Sequence, residues 1–150
     1  MSDLQRKIQL NKERKEAELL PSRLTGVRVL GYADATSMPS WTDDARKACL
    51  GIASTPDTQI PCSASSTDVD SWYASLLHTA GVKERFYCST RMTNFPWVEC
   101  LVTEDGWIRS VREALGDDIY FISHDKRSLV VVFEEEYEYI GFHCSEPTLK

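Results

Sequence analysis

The 150-residue chain contains no apolar run close to the roughly eighteen residues that a membrane-spanning helix needs. Its first twenty residues alternate charges and hold no apolar stretch of the signal-peptide kind, so a cytoplasmic, membrane-free protein is expected. Paired ligand spacings such as CxxC or HxxxH are missing, which removes the usual sequence sign of a zinc site, and no metal is expected. There is no GxSxG to mark a nucleophile elbow. The seven glycines are scattered and form neither GxGxxG nor GxxxxGK[ST], so no phosphate-cradling loop and no nucleotide cofactor are expected.

Histidine is scarce as well. His78, His124 and His143 are the only three, which restricts any Cys–His catalytic pair to a few combinations with Cys62, Cys88, Cys100 or Cys144. Adjacent residues on a strand point to opposite faces, so His143 and Cys144 do not form such a pair by themselves. The five cysteines, Cys49 included, make an odd set without a regular framework and read as free thiols of a reducing compartment. Cys88 and Cys100 fall on consecutive strands, and a pairing of the two across a hairpin is one option the sequence leaves open.

What the chain does have is an uneven charge distribution. Residues 1–100 carry 12 Lys+Arg and 12 Asp+Glu, whereas 101–150 carry 5 and 11, so the net charge of -6 arises entirely in the last fifty. A negative field there favours encounter with a basic partner and opposes a phosphate-rich one. Basic residues do cluster in the first twenty, at Arg6, Lys7, Lys12, Arg14 and Lys15. Glu13, Glu16 and Glu18 lie among them, as on a salt-bridged helix surface, and nucleic acid is not an expected partner.

Length and a 42% hydrophobic content fit one ordinary domain. Ser2 with Gln5 has capping-box spacing, and the chain from Asp3 to Leu20 reads as a surface helix stopped by Pro21. Leu24 to Tyr32 reads as a short strand. Ser40 to Ile52 reads as a second helix with Asp43 and Asp44 in its first turn, where the macrodipole favours them. Residues 54–66, rich in Ser, Thr, Pro and Asp, read as a long loop, which in a compact domain is either mobile or part of a binding surface. Thr67 or Asp68 is expected to cap a third helix through Val69, Trp72, Tyr73, Leu76, Leu77 and Ala80, ending at Gly81.

Strands follow at Arg85–Thr90 and Trp97–Val102, then a helix opened by Thr103, Glu104 and Asp105 and closed by Gly116. The last third reads as three strands: Asp118–Ser123, Ser128–Glu134 and Tyr137–His143. The unbroken apolar run from Leu129 to Phe133 predicts a strand covered on both faces, and the last strand reads as a sheet edge. The whole is a single α+β domain, with a mostly antiparallel sheet of about five strands and helices packed on it.

Of the acidic pairs, Asp117 and Asp118 are accounted for by the turn after Gly116. The cluster Glu134, Glu135, Glu136 and Glu138 has no such local reason. It is either a charged edge that blocks edge-to-edge pairing or a recognition surface, with Tyr137 and Tyr139 as aromatic anchors. Asp117, Asp118 and Asp125 would extend its field. Trp41, at the start of a helix, is a further candidate for an exposed contact residue, while Trp72 and Trp107 belong to the core.

The stretch from Trp107 to Phe142, a helix ending in Leu-Gly, a strand IYFIS, a turn at HDK, a Val/Phe strand and then glutamates and tyrosines, resembles a module of small bacterial immunity proteins. Those proteins neutralise the toxins of polymorphic and contact-dependent inhibition systems. The resemblance implies a non-enzymatic cytoplasmic protein that binds one basic toxin domain, a nuclease being the natural target of an acidic surface. The other readings of the chain are a bacterial or phage adaptor protein and, third, a small enzyme whose Cys and His meet only in the fold. A monomer or weak dimer is expected, since the glutamates oppose pairing of the last strand.

Overall fold

A computed structural model describes residues 2–51 and 53–147. Helix α1 spans Asp3–Arg23, with the expected capping box between Ser2 and Gln5. Pro21 does not stop it. The amide hydrogen that proline lacks would have served the carbonyl of Ala17, and the Tyr32 hydroxyl donates to that carbonyl instead at 2.6 Å. Strand β1 (Val27–Ala33) carries a bulge between Val29 and Gly31. A short 3₁₀ turn (Ala35–Ser37) leads to α2 (Ser40–Cys49), which starts directly after Pro39 without a side-chain cap. Ile52 lies outside the described residues.

The stretch read as a long loop contains a strand, β2 (Thr58–Pro61). Ile60 is its one apolar residue besides Pro61, so it shows no alternation in sequence. Its backbone pairs antiparallel with the last strand, and Trp72 Nε1 donates to Thr58 Oγ1 at 2.9 Å from the helix above. That helix, α3 (Ser66–Ala80), is capped by Ser65, two or three residues earlier than expected, whose side chain accepts from Asp68 N. Gly81 ends it in the left-handed conformation, as the sequence predicts.

Next come β3 (Arg85–Ser89) and β4 (Trp97–Val102), then α4 (Trp107–Leu115). Helix α4 begins after Gly106 and not at Thr103, because the Thr103 and Glu104 amides are both taken by the Gly26 carbonyl. Strands β5 (Ile119–Ser123), β6 (Ser128–Glu134) and β7 (Glu138–Ser145) complete the chain. All strands join one sheet in the order β1-β4-β3-β5-β6-β7-β2, and every pairing is antiparallel. The class is α+β, with seven strands where about five were expected.

Helices α1, α3 and α4 cover one face of the sheet over a core that includes Tyr73, Phe86, Phe121, Val130 and Val132. Helix α2 covers part of the other face over Ile122, Leu129, Val131, Ile140 and Phe142. Between the two layers β6 is buried on both sides from Leu129 to Val132, as its unbroken apolar run predicts.

The last strand is not an edge. β7 lies between β6 and β2, and Tyr139, Ile140, Gly141 and Phe142 are buried. Helix α3 presses so closely on it that a Cβ at Gly141 would stand 2.6 Å from Leu76 Cδ2. The actual edges are β1 and the four-residue β2, which ends in a proline that cannot extend the ladder. The glutamates are thus not the edge guard that the sequence suggested. No helix among the described residues is long and apolar enough to cross a membrane.

Candidate functional site

Antiparallel pairing brings the start of β5, the end of β6, the start of β7 and the end of β2 to the same end of the sheet. The turn before β5 carries Asp117 and Asp118, and the turn between β6 and β7 carries Glu134 to Glu138. Their meeting is fixed by hydrogen bonds: Asp118 Oδ1 accepts from Glu134 N at 2.8 Å, and Glu135 N donates to the Glu138 carbonyl at 2.8 Å. From the β2 side, Cys62 N donates to the Tyr137 carbonyl at 2.9 Å. Two acidic segments remote in sequence therefore form one surface.

Beside this surface lies a groove of about 590 Å³. Phe133, Ile140 and Cys49 contribute apolar lining. The chain leaving α2, with Leu50, Ser54 and Pro56, makes one side, and Asp118, Glu134, Glu135 and Glu138 stand on the other. Leu50 and Tyr137 are the exposed large side chains nearby, at 57% and 77% of full exposure. The C-terminal end of α2 also points its negative dipole end toward this region. Among the described residues no lysine or arginine lies within ion-pair distance of Glu134, Glu135, Glu136 or Glu138. Asp118 has only Arg91, at 3.8 Å. Such a groove suits a long cationic side chain, whose stem packs on the apolar lining while its head meets the carboxylates.

Four of the residues expected to take part fall elsewhere. Asp117 turns inward, accepting from Arg112 Nε at 3.1 Å and from the Tyr73 hydroxyl at 3.4 Å, so its charge is spent within the protein. Tyr139 is buried under α3 with the Arg112 guanidinium 5.9 Å from its ring centre, and burial pushes its phenol up. Asp125 sits at the opposite end of the sheet in the β5–β6 turn. There its Oδ1 accepts from Ser123 Oγ at 2.6 Å and Arg127 N at 3.0 Å, and these bonds hold its carboxyl below the usual range. Trp41, in the first turn of α2, is half-buried against the core on that face, and its ring nitrogen is buried without a partner among the described residues.

Of the groove's far side, Ser54 and Pro56 fall in the long loop that the sequence offers as a candidate binding surface, whereas Leu50 carries no signal of its own. Sequence reasoning also missed Arg112. This side chain, 12% exposed, bridges Asp70 at 2.8 Å and Asp117, with its guanidinium 5.4 Å from the Tyr73 ring centre. Burial alone would weaken its charge, but the two carboxylates hold it firmly protonated. On sequence it is one more polar residue on the flank of an amphipathic helix.

Nucleophilic chemistry finds little support in the thiols. Burial, then the neighbouring Cys144, pushes the Cys49 thiol up to about 12, and the Cys88 thiol is also raised, by the neighbouring Cys100 thiol and by full burial. Cys62 is raised by desolvation and by the carboxylates of Glu134, Asp117 and Glu138. An activated cysteine needs the opposite shift. Among the described residues no cysteine shares a hydrogen bond with a histidine: His124 stacks on Tyr87, and the His143 ring meets Ser145. No group of three or more His, Cys, Asp or Glu is placed to hold a metal ion among those residues. No family model, curated protein or solved structure matches the chain.

Proposed function

We propose that this protein is a non-catalytic inhibitor of the immunity type, which takes a basic surface of a toxin domain against its acid-rimmed groove. The observation that carries the reading is the set of glutamates Glu134, Glu135 and Glu138, held by backbone hydrogen bonds beside a groove with apolar lining and without a cationic partner among the described residues. Like charges gathered without a counter-ion destabilise a fold, and a partner that supplies the counter-ion recovers that free energy on binding. Exposed Tyr137 and Leu50 supply the apolar contact that charge alone does not give. A nuclease domain, whose phosphate-binding cleft is basic, is the best-matched target class. Asp125, Trp41, Tyr139 and the inward-facing Asp117 have no part in this surface.

The test is binding to the toxin domain encoded beside this chain in its source genome, measured by stopped-flow association at several ionic strengths. The Glu134→Gln, Glu135→Gln, Glu138→Gln triple variant is expected to associate at least about tenfold more slowly at low salt and to lose most of the salt dependence. Unchanged association would remove the groove from the interface. Failure of the unaltered chain to bind that toxin would end the immunity reading.

A further inference from the structure

Cys49, the last residue of α2, and Cys144, near the end of β7, are ninety-five positions apart in sequence and meet with their Sγ atoms 3.8 Å apart. Cys144 is half-buried and Cys49 nearly fully buried. Asp57 is the charged group nearest both, and its carboxylate is engaged with His143 N at 2.7 Å. The other internal thiol pair, Cys88 with Cys100, is wholly inside the core, where no oxidant reaches it. Cys62, by contrast, has no thiol neighbour and instead donates to the Glu135 carbonyl.

We propose that Cys49 and Cys144 are a redox modification site, a dithiol that closes to a disulfide on exchange with a small disulfide such as oxidised glutathione. The Cys144 thiolate, the more accessible of the two, attacks one sulfur of the small disulfide. That bond breaks, and one thiolate leaves with its electron pair. The Cys49 thiolate then attacks the Cys144 sulfur of the mixed disulfide, forming the protein S–S bond and expelling the second small thiolate. Two protein thiols are oxidised, one small disulfide is reduced to two thiols, and the protein's two protons end on the leaving groups or in solvent.

The consequence is mechanical. Among the described residues α2 is the one α-helix on its face of the sheet, and its last turn leads straight into the groove side formed by Leu50 and Ser54. The disulfide fastens that turn to β7 and closes a loop of about a hundred residues in the unfolded chain, so it stabilises the fold. Both thiols are raised, chiefly by desolvation, so the exchange is slow at neutral pH. The pair acts as a response to sustained oxidation and is independent of what the groove binds.

The experiment uses the unaltered chain at low concentration, incubated with oxidised glutathione at about pH 8.5, where thiolates are more abundant. Remaining thiols are then alkylated, and peptides are mapped by mass. A Cys49–Cys144 linked peptide is expected to dominate, with Cys62 unlinked and the melting temperature raised by several degrees or more. The Cys62→Ser variant is expected to give the same linked peptide. A lasting glutathione adduct on Cys144 with Cys49 still alkylatable would overturn the proposal. So would a disulfide formed chiefly through Cys62, or five thiols recovered unchanged.

Discussion

Two carboxylate-rich regions lie on neighbouring elements of this molecule and behave as opposites. Around Arg112, the acids Asp70 and Asp117 are drawn onto its guanidinium, which the rings of Tyr73 and Tyr139 flank, and Asp70 also meets Arg109 at 2.9 Å. Across the start of β5, Glu134, Glu135 and Glu138 line a groove with no cation beside them among the described residues. The first region ties α3 to α4 and β7, and its charges are spent on the fold. The second is held in place by backbone bonds while its glutamates have no cation beside them among the described residues. Asp117 and Asp118 are adjacent in sequence and belong to different regions, which shows that composition does not separate structural from available charge.

The comparison breaks most visibly at Arg112. Arg112→Ala leaves Asp117 partly buried without its cation, while Asp70 keeps only the more exposed Arg109 at 2.9 Å, and a loss of about 3 kcal/mol in urea-unfolding stability is expected. A loss below about 1 kcal/mol, the range of an exposed ion pair, would place the network in the same class as the surface acids.

Glu13 gives an intermediate case, a buried carboxylate on α1 satisfied without any cation. It accepts from Thr93 N at 3.0 Å, Asn94 N at 2.7 Å and Asn94 Nδ2 at 2.8 Å, and so pins α1 to the loop between β3 and β4. Burial opposes its ionised form, but the bonds from Asn94 and Thr93 outweigh burial and hold its carboxyl below the usual glutamate range. Glu13→Gln is expected to cost about 1–3 kcal/mol at neutral pH, since a neutral amide replaces a multiply bonded acceptor. The folded-state pKa is the lower one, so the carboxylate's contribution is present above the unfolded value of about 4.3 and lost as pH falls through the folded value. The stability gap between wild type and variant should therefore shrink only below about pH 4. A gap that is constant from pH 7 to 3 would mean that Glu13 acts through packing alone.

The smallest effect is expected at the groove. The Glu134→Gln, Glu135→Gln, Glu138→Gln variant should differ from wild type by no more than about 0.5 kcal/mol in the unfolding midpoint, with any change toward greater stability. A marked loss of stability would make these side chains part of the fold and erase the contrast with Arg112.

Much of the fold is legible in the sequence where burial sets the pattern. Leu129 to Val132 identifies a strand covered on both faces, Val69 to Ala80 with Gly81 defines α3, and Ser2 with Gln5 caps α1. The failures share a cause: the deciding bond comes from elsewhere in the molecule. Pro21 stays helical because Tyr32 satisfies the carbonyl that it leaves open. Thr58 to Pro61 become a strand because β7 offers a ladder. Thr103 fails to start α4 because Gly26 holds its amide. In the candidate site, Glu134 to Glu138 stand out by their charge and Ser54 by its place in an unusually long loop, whereas Leu50 on the groove's other side carries no signal in the sequence.

The sequence by itself determined the α+β class, the excess of acid in the last fifty residues and the absence of metal and nucleotide motifs. These follow from residue periodicity and counting, which do not depend on distant partners. Only the tertiary structure decided that β7 is interior, that Asp117 meets the buried Arg112 while Asp118 meets the exposed Arg91 and the glutamates meet no cation among the described residues, and that Cys49 meets Cys144. Each of those depends on which backbone and side-chain groups are brought together from far along the chain. Such proximity is created by strand order and helix packing, and one residue's own chemistry does not encode it.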